Sequence, residues 1–226
     1  CERTGFFIVP SRTCRFILVT EFPSIMDNSG TVYDDIANSW HSFKRKPFPP
    51  IVNDLAKDWK GKILDIGCGN GRNLLVFDGE LTGIDNSKEM VEIARKNAAS
   101  QKKGAAFLIA DATKLPFKDG HFDYVLCIAM LHHIPIEKQK VALDEIKRVL
   151  KPQGKVLLTV WNKWQRRFLF GPKERHVPWT TNGKTMQRYY YLHNSFSLRK
   201  IVKEAEFTIE SSIGTFGANV ILILRK

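Results

Sequence analysis

The sequence has few of the features that mark disulfide-rich, zinc-binding or membrane-spanning proteins. Its four cysteines lie at positions 1, 14, 68 and 127, and no two of them form a Cys-x-x-Cys pair. This spacing indicates neither a metal site nor a disulfide framework. Free thiols are typical of a reducing compartment, and we expect a cytoplasmic protein. No apolar run approaches the ~18 residues of a membrane span, so we expect no membrane partner.

The chain has 226 residues, which is enough for one domain with a full hydrophobic core. Near its start are two short apolar stretches, Phe6 to Val9 and Phe16 to Val19, without the layout of a signal peptide. Met26 would be a natural start. We therefore expect residues 1–31 to be an N-terminal extension outside the fold, and residues 32–226 to form the domain.

One stretch organises the domain: Leu64 to Gly71 reads Leu-Asp-Ile-Gly-Cys-Gly-Asn-Gly. A short apolar run that ends in glycines is typical of a buried parallel strand entering a tight ligand-binding turn. We expect a helix to follow and to direct its free N–H groups at the ligand. The third glycine comes too early for a dinucleotide fingerprint, and Asp65 would repel a pyrophosphate. The stretch favours a ligand with a positive amino group; a plain glycine-rich turn is the alternative.

Acidic residues also end the next two predicted strands. Asp85 closes the strand that begins at Leu81, and it lies 18 positions after Gly67. This is close to the ~20 positions expected for an acid that binds ribose hydroxyls. Asp111 follows the strand from Ala105 to Ile109, where it can accept a hydrogen bond from an adenine amino group. Together the acids predict a ligand with an amine, a ribose and a base, but no phosphate.

The net charge of +12 is unevenly distributed along the chain. Residues 1–150 carry 21 Lys and Arg against 19 acids, whereas residues 151–226 carry 14 against 4. The second part therefore has a net charge of +10, which favours a polyanionic partner such as nucleic acid.

Aromatic residues are concentrated in the same basic part. Residues 161–196 hold 9 of the 25 aromatics, with seven Lys and Arg among them. Aromatic faces next to basic side chains suit unstacked RNA bases and their phosphates. The alternative is that these aromatics pack on the sheet. The residues are Trp161, Trp164, Phe168, Phe170, Trp179, Tyr189, Tyr190, Tyr191 and Phe196.

The glycine stretch, Gly83-Ile84-Asp85, Asp111-Ala112 and Leu115-Pro116-Phe117 resemble the motifs of class I methyltransferases, which use S-adenosylmethionine. The resemblance covers roughly residues 32–226. It implies an α/β fold: a doubly wound, Rossmann-like, mostly parallel sheet of seven strands with an antiparallel C-terminal strand. Residues 161–196 would be a basic, aromatic, substrate-side insertion. The implied cofactor-binding residues are Tyr33, Asp65, Gly67, Cys68, Gly69, Asn70, Asp85, Asn86, Asp111, Ala112 and Ile128.

Further segments are similar to the tRNA methyltransferases that esterify 5-carboxymethyluridine at the wobble position. They are Met130-Leu131-His132-His133, Thr159-Val160-Trp161, Val177-Pro178-Trp179, Arg188-Tyr189-Tyr190-Tyr191 and Lys46-Pro47-Phe48-Pro49. The resemblance implies an RNA-binding enzyme with tRNA as its substrate. The chain departs from the family at Lys44, Phe48 and Tyr191, where the family has Arg, Trp and His.

Four residues are the candidates for catalysis. We expect His132 or His133 to orient the substrate carboxylate, and a structural role for one of them is the alternative. Trp161 would wall the pocket, and Arg188 would help to hold the nucleotide. Two other functions compete: a small-molecule methyltransferase, for example of quinone precursors, and an inactive methyltransferase fold that binds RNA. The basic second part argues against the first, and the intact acids and glycines argue against the second.

The resemblance also implies a possible partner. Relatives in eukaryotes and archaea often work with a small zinc-binding activator protein that adds a strand to an edge of the sheet. The stretch Ala105 to Ile109 carries no charge of the kind that blunts a free edge, so we expect it to be the outermost strand and the docking site. A self-sufficient monomer with a covered edge is the alternative.

Overall fold

The computed structural model describes residues 29–44, 46–48 and 54–226. The predicted extension therefore lies almost entirely outside the described residues. The helices are α1 (Ser29–Phe43), α2 (Lys88–Ser100), α3 (Ile136–Val149) and α4 (Ser195–Glu204), and residues 54–56 are also helical. Short 3-10 turns occur at Leu131–His133 and Arg166–Phe168. The strands are β1 (Lys62–Ile66), β2 (Glu80–Asp85), β3 (Ala105–Ile109), β4 (Phe122–Ile128), β5 (Leu150–Trp161), β6 (Glu174–Thr181), β7 (Lys184–Tyr191), β8 (Thr208–Ile213) and β9 (Asn219–Arg225).

Seven strands form one sheet in the order β3-β2-β1-β4-β5-β9-β8. The pairs from β3 to β5 are parallel, and β9 runs antiparallel to both β5 and β8. The predicted α/β fold, with its mostly parallel sheet and an antiparallel C-terminal strand, is therefore confirmed. The expected outermost position of β3 also holds.

Helices cover both faces of the sheet, because the central strands are apolar on both sides. In β4, Val125 and Cys127 pack with α3 and α4, whereas Leu126 and Ile128 pack on the opposite face with α2. Successive side chains of a strand point to opposite faces, so an uninterrupted apolar strand needs cover on both. The helix α2 begins where the Ser87 hydroxyl accepts the Met90 N–H, at 3.1 Å.

The helix predicted after the glycine stretch is absent, and that expectation was wrong. Residues 72–76 form turns, in which the N–H groups of Leu74 and Leu75 both donate to the Gly71 carbonyl. Only residues 72–78 separate Gly71 from Gly79, and a helix this short is not stable by itself. Gly79, at φ 139°, then turns the chain into β2. A ligand at this loop meets turn N–H groups instead of a helix N-terminus.

The strands β6 and β7 form a separate antiparallel hairpin, which packs beside α1. The indole Nε1–H of Trp179 donates to the Ser39 hydroxyl at 3.0 Å and joins the hairpin to the helix. At the far edge of the main sheet, Leu108 and Ile109 of β3 are 39% and 55% exposed. None of the helices in the described ranges has the length and hydropathy to cross a bilayer.

Candidate cofactor and substrate site

A cavity of about 990 Å³ opens at the carboxyl ends of β1, β2 and β4. The strand order reverses between β1 and β4, and open α/β sheets bind ligands at this switch point. Thirteen of the predicted site residues line the cavity; Asp65 and Asn70 do not. The thirteen are Tyr33, Gly67, Cys68, Gly69, Asp85, Asn86, Asp111, Ala112, Ile128, His132, His133, Trp161 and Arg188.

The glycine loop is fastened to the end of β2. The N–H groups of Gly67 and Cys68 both donate to the Ile84 carbonyl at 2.9 Å. Gly67 has φ 70°, and a Cβ there would collide with the side chain of Met130. The position therefore requires glycine, both for its backbone conformation and for lack of space.

Asp85 is held at the cavity wall by two backbone donors. Its carboxylate oxygens accept the Gly69 N–H at 2.9 Å and the Ser87 N–H at 3.0 Å. Burial raises the pKa of Asp85, and these hydrogen bonds oppose the rise. The carboxylate is therefore a fixed acceptor, with further lone pairs for a ligand.

Asp65 is buried, with 1% of its surface exposed, just before the glycine loop. Neither carboxylate oxygen has a hydrogen-bond partner among the described residues. Burial, followed by the nearby charge of Asp85, raises the pKa of Asp65. A buried carboxylate without a donor suits a ligand that brings a cationic group.

Asn70 and Asp111 serve the local fold. The Asn70 amide donates to His41 Nδ1 and to the Lys44 carbonyl, both at 2.9 Å, and so ties the end of α1 to the glycine loop. The Asp111 carboxylate accepts from the N–H and the hydroxyl of Thr113, both at 2.8 Å. Its exposed position at the cavity rim leaves other lone pairs available.

On the opposite side of the cavity, His133 connects α1 to the hairpin. Its Nδ1 lies 3.0 Å from the Tyr189 carbonyl, which can only accept, so the ring carries its proton on Nδ1. Nε2 then accepts from the Tyr33 hydroxyl at 3.0 Å. Burial lowers the pKa of His133 to about 4. Both ring nitrogens of this neutral imidazole are therefore used within the protein.

His132 has one ring nitrogen to spare. Its Nδ1 accepts the Trp161 N–H at 3.2 Å, which places the proton on Nε2. Nε2 is buried without a partner in the described part of the chain. Burial, followed by the neighbouring His133, lowers the pKa of His132 well below its usual value. His132 is thus a neutral imidazole with an unused N–H donor.

Arg188 lies among aromatic rings with only 7% of its surface exposed. Its guanidinium carbon is 4.9 Å from the Trp179 ring centre and 5.4 Å from that of Tyr190. Within the described residues no carboxylate forms an ion pair with it. The guanidinium also hydrogen-bonds to the hydroxyls of Tyr33 and Tyr190. A buried cation held by neutral groups and aromatic faces is a ready site for an anion.

Two further residues of this wall belong to the aromatic set of residues 161–196 but were not predicted as site residues. Tyr190, with 1% exposure, stacks on His132 at 5.1 Å and on Trp161 at 4.6 Å. Trp179 covers Arg188. The alternation of β7 is the signal that could have found Tyr190, because residues two apart on a strand share a face. The sequence around Trp179 gives no sign that this side chain, on β6, packs against Arg188 on β7.

Comparison with known proteins identifies the family. A model described as a methyltransferase domain matches residues 64–158. A protein of Encephalitozoon cuniculi named as a methyltransferase is 34% identical over 172 residues, which are 73% of this chain and 78% of that protein. The chain belongs to the methyltransferases.

The relatives of this methyltransferase include longer proteins. The tRNA (carboxymethyluridine(34)-5-O)-methyltransferase alkbh8 of Xenopus tropicalis is 41% identical over 133 residues, 58% of this chain and 20% of that protein. The chain spans about a fifth to a third of the length of this relative and of its counterpart in Arabidopsis thaliana.

Solved structures agree with the fold. An S-adenosylmethionine-dependent methyltransferase of Methanosarcina mazei is 25% identical, with a TM-score of 0.65 over 80% of this chain and 98% of that one. A methyltransferase of Haloferax volcanii, solved in complex with the Trm112 activator, shares the fold at 18% identity, with a TM-score of 0.64 over 87% and 96% of the two chains.

This methyltransferase uses S-adenosylmethionine. The residues of the cavity fit the cofactor. The orphaned Asp65 carboxylate next to the glycine loop suits a ligand with an ammonium group, and Gly67, Cys68 and Gly69 of that loop line the cavity. In the described residues no group of three His, Cys, Asp or Glu could hold a metal ion.

Proposed function

We propose that this methyltransferase acts on tRNA and methylates the carboxylate of 5-carboxymethyluridine at the wobble position. The observation that carries the proposal is Arg188, a buried cation that lines the cavity and forms no ion pair with a carboxylate of the described residues. A substrate carboxylate would complete this site. A bidentate guanidinium–carboxylate pair gives both charge neutralisation and a fixed orientation.

The reaction needs little acid–base chemistry. Bound S-adenosylmethionine supplies a methyl group made electrophilic by its sulfonium. The substrate carboxylate, ordinarily with a pKa near ~4, is already ionised at neutral pH. A new C–O bond forms as the C–S bond breaks, and no proton has to be removed. Two neutral histidines and no strong base are consistent with this chemistry.

The residues around the cavity would then act by binding, orienting and excluding water. Arg188 holds the carboxylate, and the unused Nε2–H of His132 donates to it. His133 positions the wall through its bonds to Tyr33 and Tyr189. Alignment of the two reacting groups in a dry aromatic pocket favours a transition state in which opposite charges cancel.

On the cofactor side we propose the roles that the resemblance implies. Asp85 accepts from the ribose hydroxyls, and its fixed carboxylate supports this role. Asp111, with Ala112 beside it, meets the adenine at the cavity rim. Asp65 balances the ammonium group of the methionine part. Asn70 contributes indirectly, by holding the loop against α1.

The tRNA part of the proposal rests on charge and on relatives. Glu174 is the only acid between Glu145 and Glu204, a stretch that holds fourteen Lys and Arg. Several relatives are named as tRNA methyltransferases. A phosphate backbone neutralises a surface of this kind and releases counterions.

We also propose a small zinc-binding activator protein as a partner at β3. The strand is the outermost of the sheet, and its exposed residues Leu108 and Ile109 are apolar. An unpaired apolar edge favours the addition of a strand from another chain. The Haloferax neighbour, whose structure contains the Trm112 methyltransferase activator, supports a protein partner.

Transfer of a labelled methyl group tests the function. The purified chain, with and without an activator, is given labelled cofactor and total tRNA, and nucleosides are then separated. We expect label in an alkali-labile ester of a modified uridine. Arg188→Met should raise the KM for RNA and lower kcat while cofactor affinity is retained, and Arg188→Lys should restore part of the loss. Label in a small molecule, or an Arg188→Met variant with full activity, would contradict the proposal.

A further inference from the structure

A second aromatic cluster lies outside the cavity. Trp164, Phe196 and Phe216 come from three separate segments: the loop after β5, the start of α4 and the loop between β8 and β9. The Trp164 and Phe216 rings are stacked, with centres 5.4 Å apart and an angle of 15°. Phe196 meets Trp164 edge-on at 5.9 Å. We call these three side chains the aromatic platform.

The platform presents its rings to solvent. Phe216 is 84% exposed and Phe196 is 69% exposed. Exposed apolar groups that cluster on a soluble surface mark interaction sites more often than single exposed residues do. The exposed rings are therefore suited to bind a ligand with a flat apolar face.

Buried hydrogen bonds hold the platform in place. The side-chain amide of Asn162, which is fully buried, donates to the carbonyls of Gly214, Thr215 and Gly217 at 3.1, 3.0 and 3.0 Å. Its oxygen accepts the Trp164 N–H at 3.0 Å. One buried side chain thus fixes both halves of the stacked pair, so the rings are preorganised for binding.

The platform also adjoins the substrate side of the cavity. Trp161 and its strand partner Asn219 both line the cavity, and each is three residues from a platform ring. Arg167, which packs over Trp161 at 4.5 Å, lines the cavity as well. The segment from Trp161 to Lys173 has four basic residues and no acid. A strand of RNA that leaves the cavity here would meet positive charge first and aromatic faces next.

We propose that the aromatic platform stacks an unpaired nucleobase of the RNA, next to the nucleotide that enters the cavity. This inference rests on the proposed function, because it assumes that the substrate is RNA. Every base has a flat π face, and aromatic side chains beside arginines are a general means of holding unpaired bases. The platform would hold a neighbouring base apart from its stack and leave the target nucleotide free to enter the cavity.

Fluorescence of a base analogue tests the platform. The whole chain is titrated with single-stranded RNA that carries 2-aminopurine beside the target uridine, because stacking on a ring quenches this fluorophore. We expect quenching with the wild-type chain. Phe216→Ala and Phe196→Ala should each relieve it and weaken RNA binding about 5- to 150-fold, the range measured for single stacking contacts. Phe170→Ala is the matched control, since Phe170 is 98% exposed and has no ring partner in the described residues.

The outcomes separate the platform from the proposed function. If the wild-type chain and the platform variants bind and methylate RNA equally well, the platform inference is wrong and the proposed function stands. Wild-type chain that neither binds nor methylates RNA would overturn the proposed function and the platform together. A third outcome is sedimentation in which the wild-type chain is a dimer and Phe216→Ala is a monomer. That result would assign the surface to a second copy of the chain, and the nucleobase inference would be wrong.

Discussion

Replacement of Asp85 tests the cofactor site at one of its most strongly fixed groups. Asp85→Ala removes the acceptor that the Gly69 and Ser87 N–H groups share. It also removes the charged acceptor proposed for the two ribose hydroxyls. Asp85→Asn keeps one oxygen but places an NH2 group against the other N–H donor, so it should lie between wild type and Asp85→Ala.

The size of the effect follows from the hydrogen bonds. A hydrogen bond to a charged group contributes about 1.5–3 kcal/mol. If the two ribose hydroxyls together lose one such contribution, cofactor affinity falls roughly 10- to 150-fold. The Gly69 and Ser87 N–H groups lose their acceptor in the free protein as well, and this loss should lower the free energy of unfolding rather than the affinity.

Calorimetry with S-adenosylmethionine or its demethylated product measures the affinity, and circular dichroism shows whether the variant folds. Asp144→Ala is the matched control, because Asp144 is an exposed carboxylate paired with Lys140 at 2.7 Å on α3. A folded Asp85→Ala variant that binds the cofactor as tightly as Asp144→Ala would refute the assignment of Asp85 to the ribose.

Three further predictions concern RNA, pH and the partner. Arg166→Ala with Arg167→Ala should weaken tRNA binding and flatten its salt dependence without a change in cofactor affinity. An unchanged salt slope would favour a small-molecule substrate. The fully buried His193, whose pKa burial lowers to about 4, stays neutral in the fold, so its contribution to the free energy of unfolding should fall by up to about 3 kcal/mol as pH drops from about 6.5 to about 4. His132 and His133, which burial also keeps neutral, should lower the free energy of unfolding further over the same range. Flat stability over that range by urea denaturation would contradict this. Leu108→Lys should abolish co-purification with an activator. Full methylation of tRNA by the wild-type chain alone, with no gain when an activator is added, would contradict the partner.

Most of the fold could be predicted because it depends on local patterns. Short apolar runs that end in glycine or acid define β1 and β2, and the spacing from Gly67 to Asp85 matches the distance that the fold requires. The helix after the glycine loop was predicted wrongly, although the sequence holds the signal against it: only residues 72–78 separate Gly71 from Gly79. Strand order came from resemblance, because a sequence does not state which strands are neighbours.

The sequence predicts most of the residues that form the site, but not the contacts that these residues make. Asp65 and Asn70 stand inside the recognised motif, yet neither lines the cavity. Asp65 is buried without a hydrogen-bond partner among the described residues, and Asn70 ties the loop to the end of α1. The two histidines are adjacent in sequence and differ only in their partners, Tyr33 and Tyr189 for one and Trp161 for the other. Those partners come from three distant segments, so local sequence carries no signal that would separate the two rings.

The charge of the substrate side bears on which ligand the cavity accepts. Arg188 carries a positive charge at any physiological pH, whereas His132 and His133 are neutral. A neutral small molecule would leave a buried guanidinium without an anion, which is costly in an apolar environment. A carboxylate instead neutralises that charge and finds the unused donor of His132 beside it. The proposed substrate, a carboxylate on an RNA base, would satisfy both this buried cation and the basic surface of residues 151–226, which carries a net charge of +10.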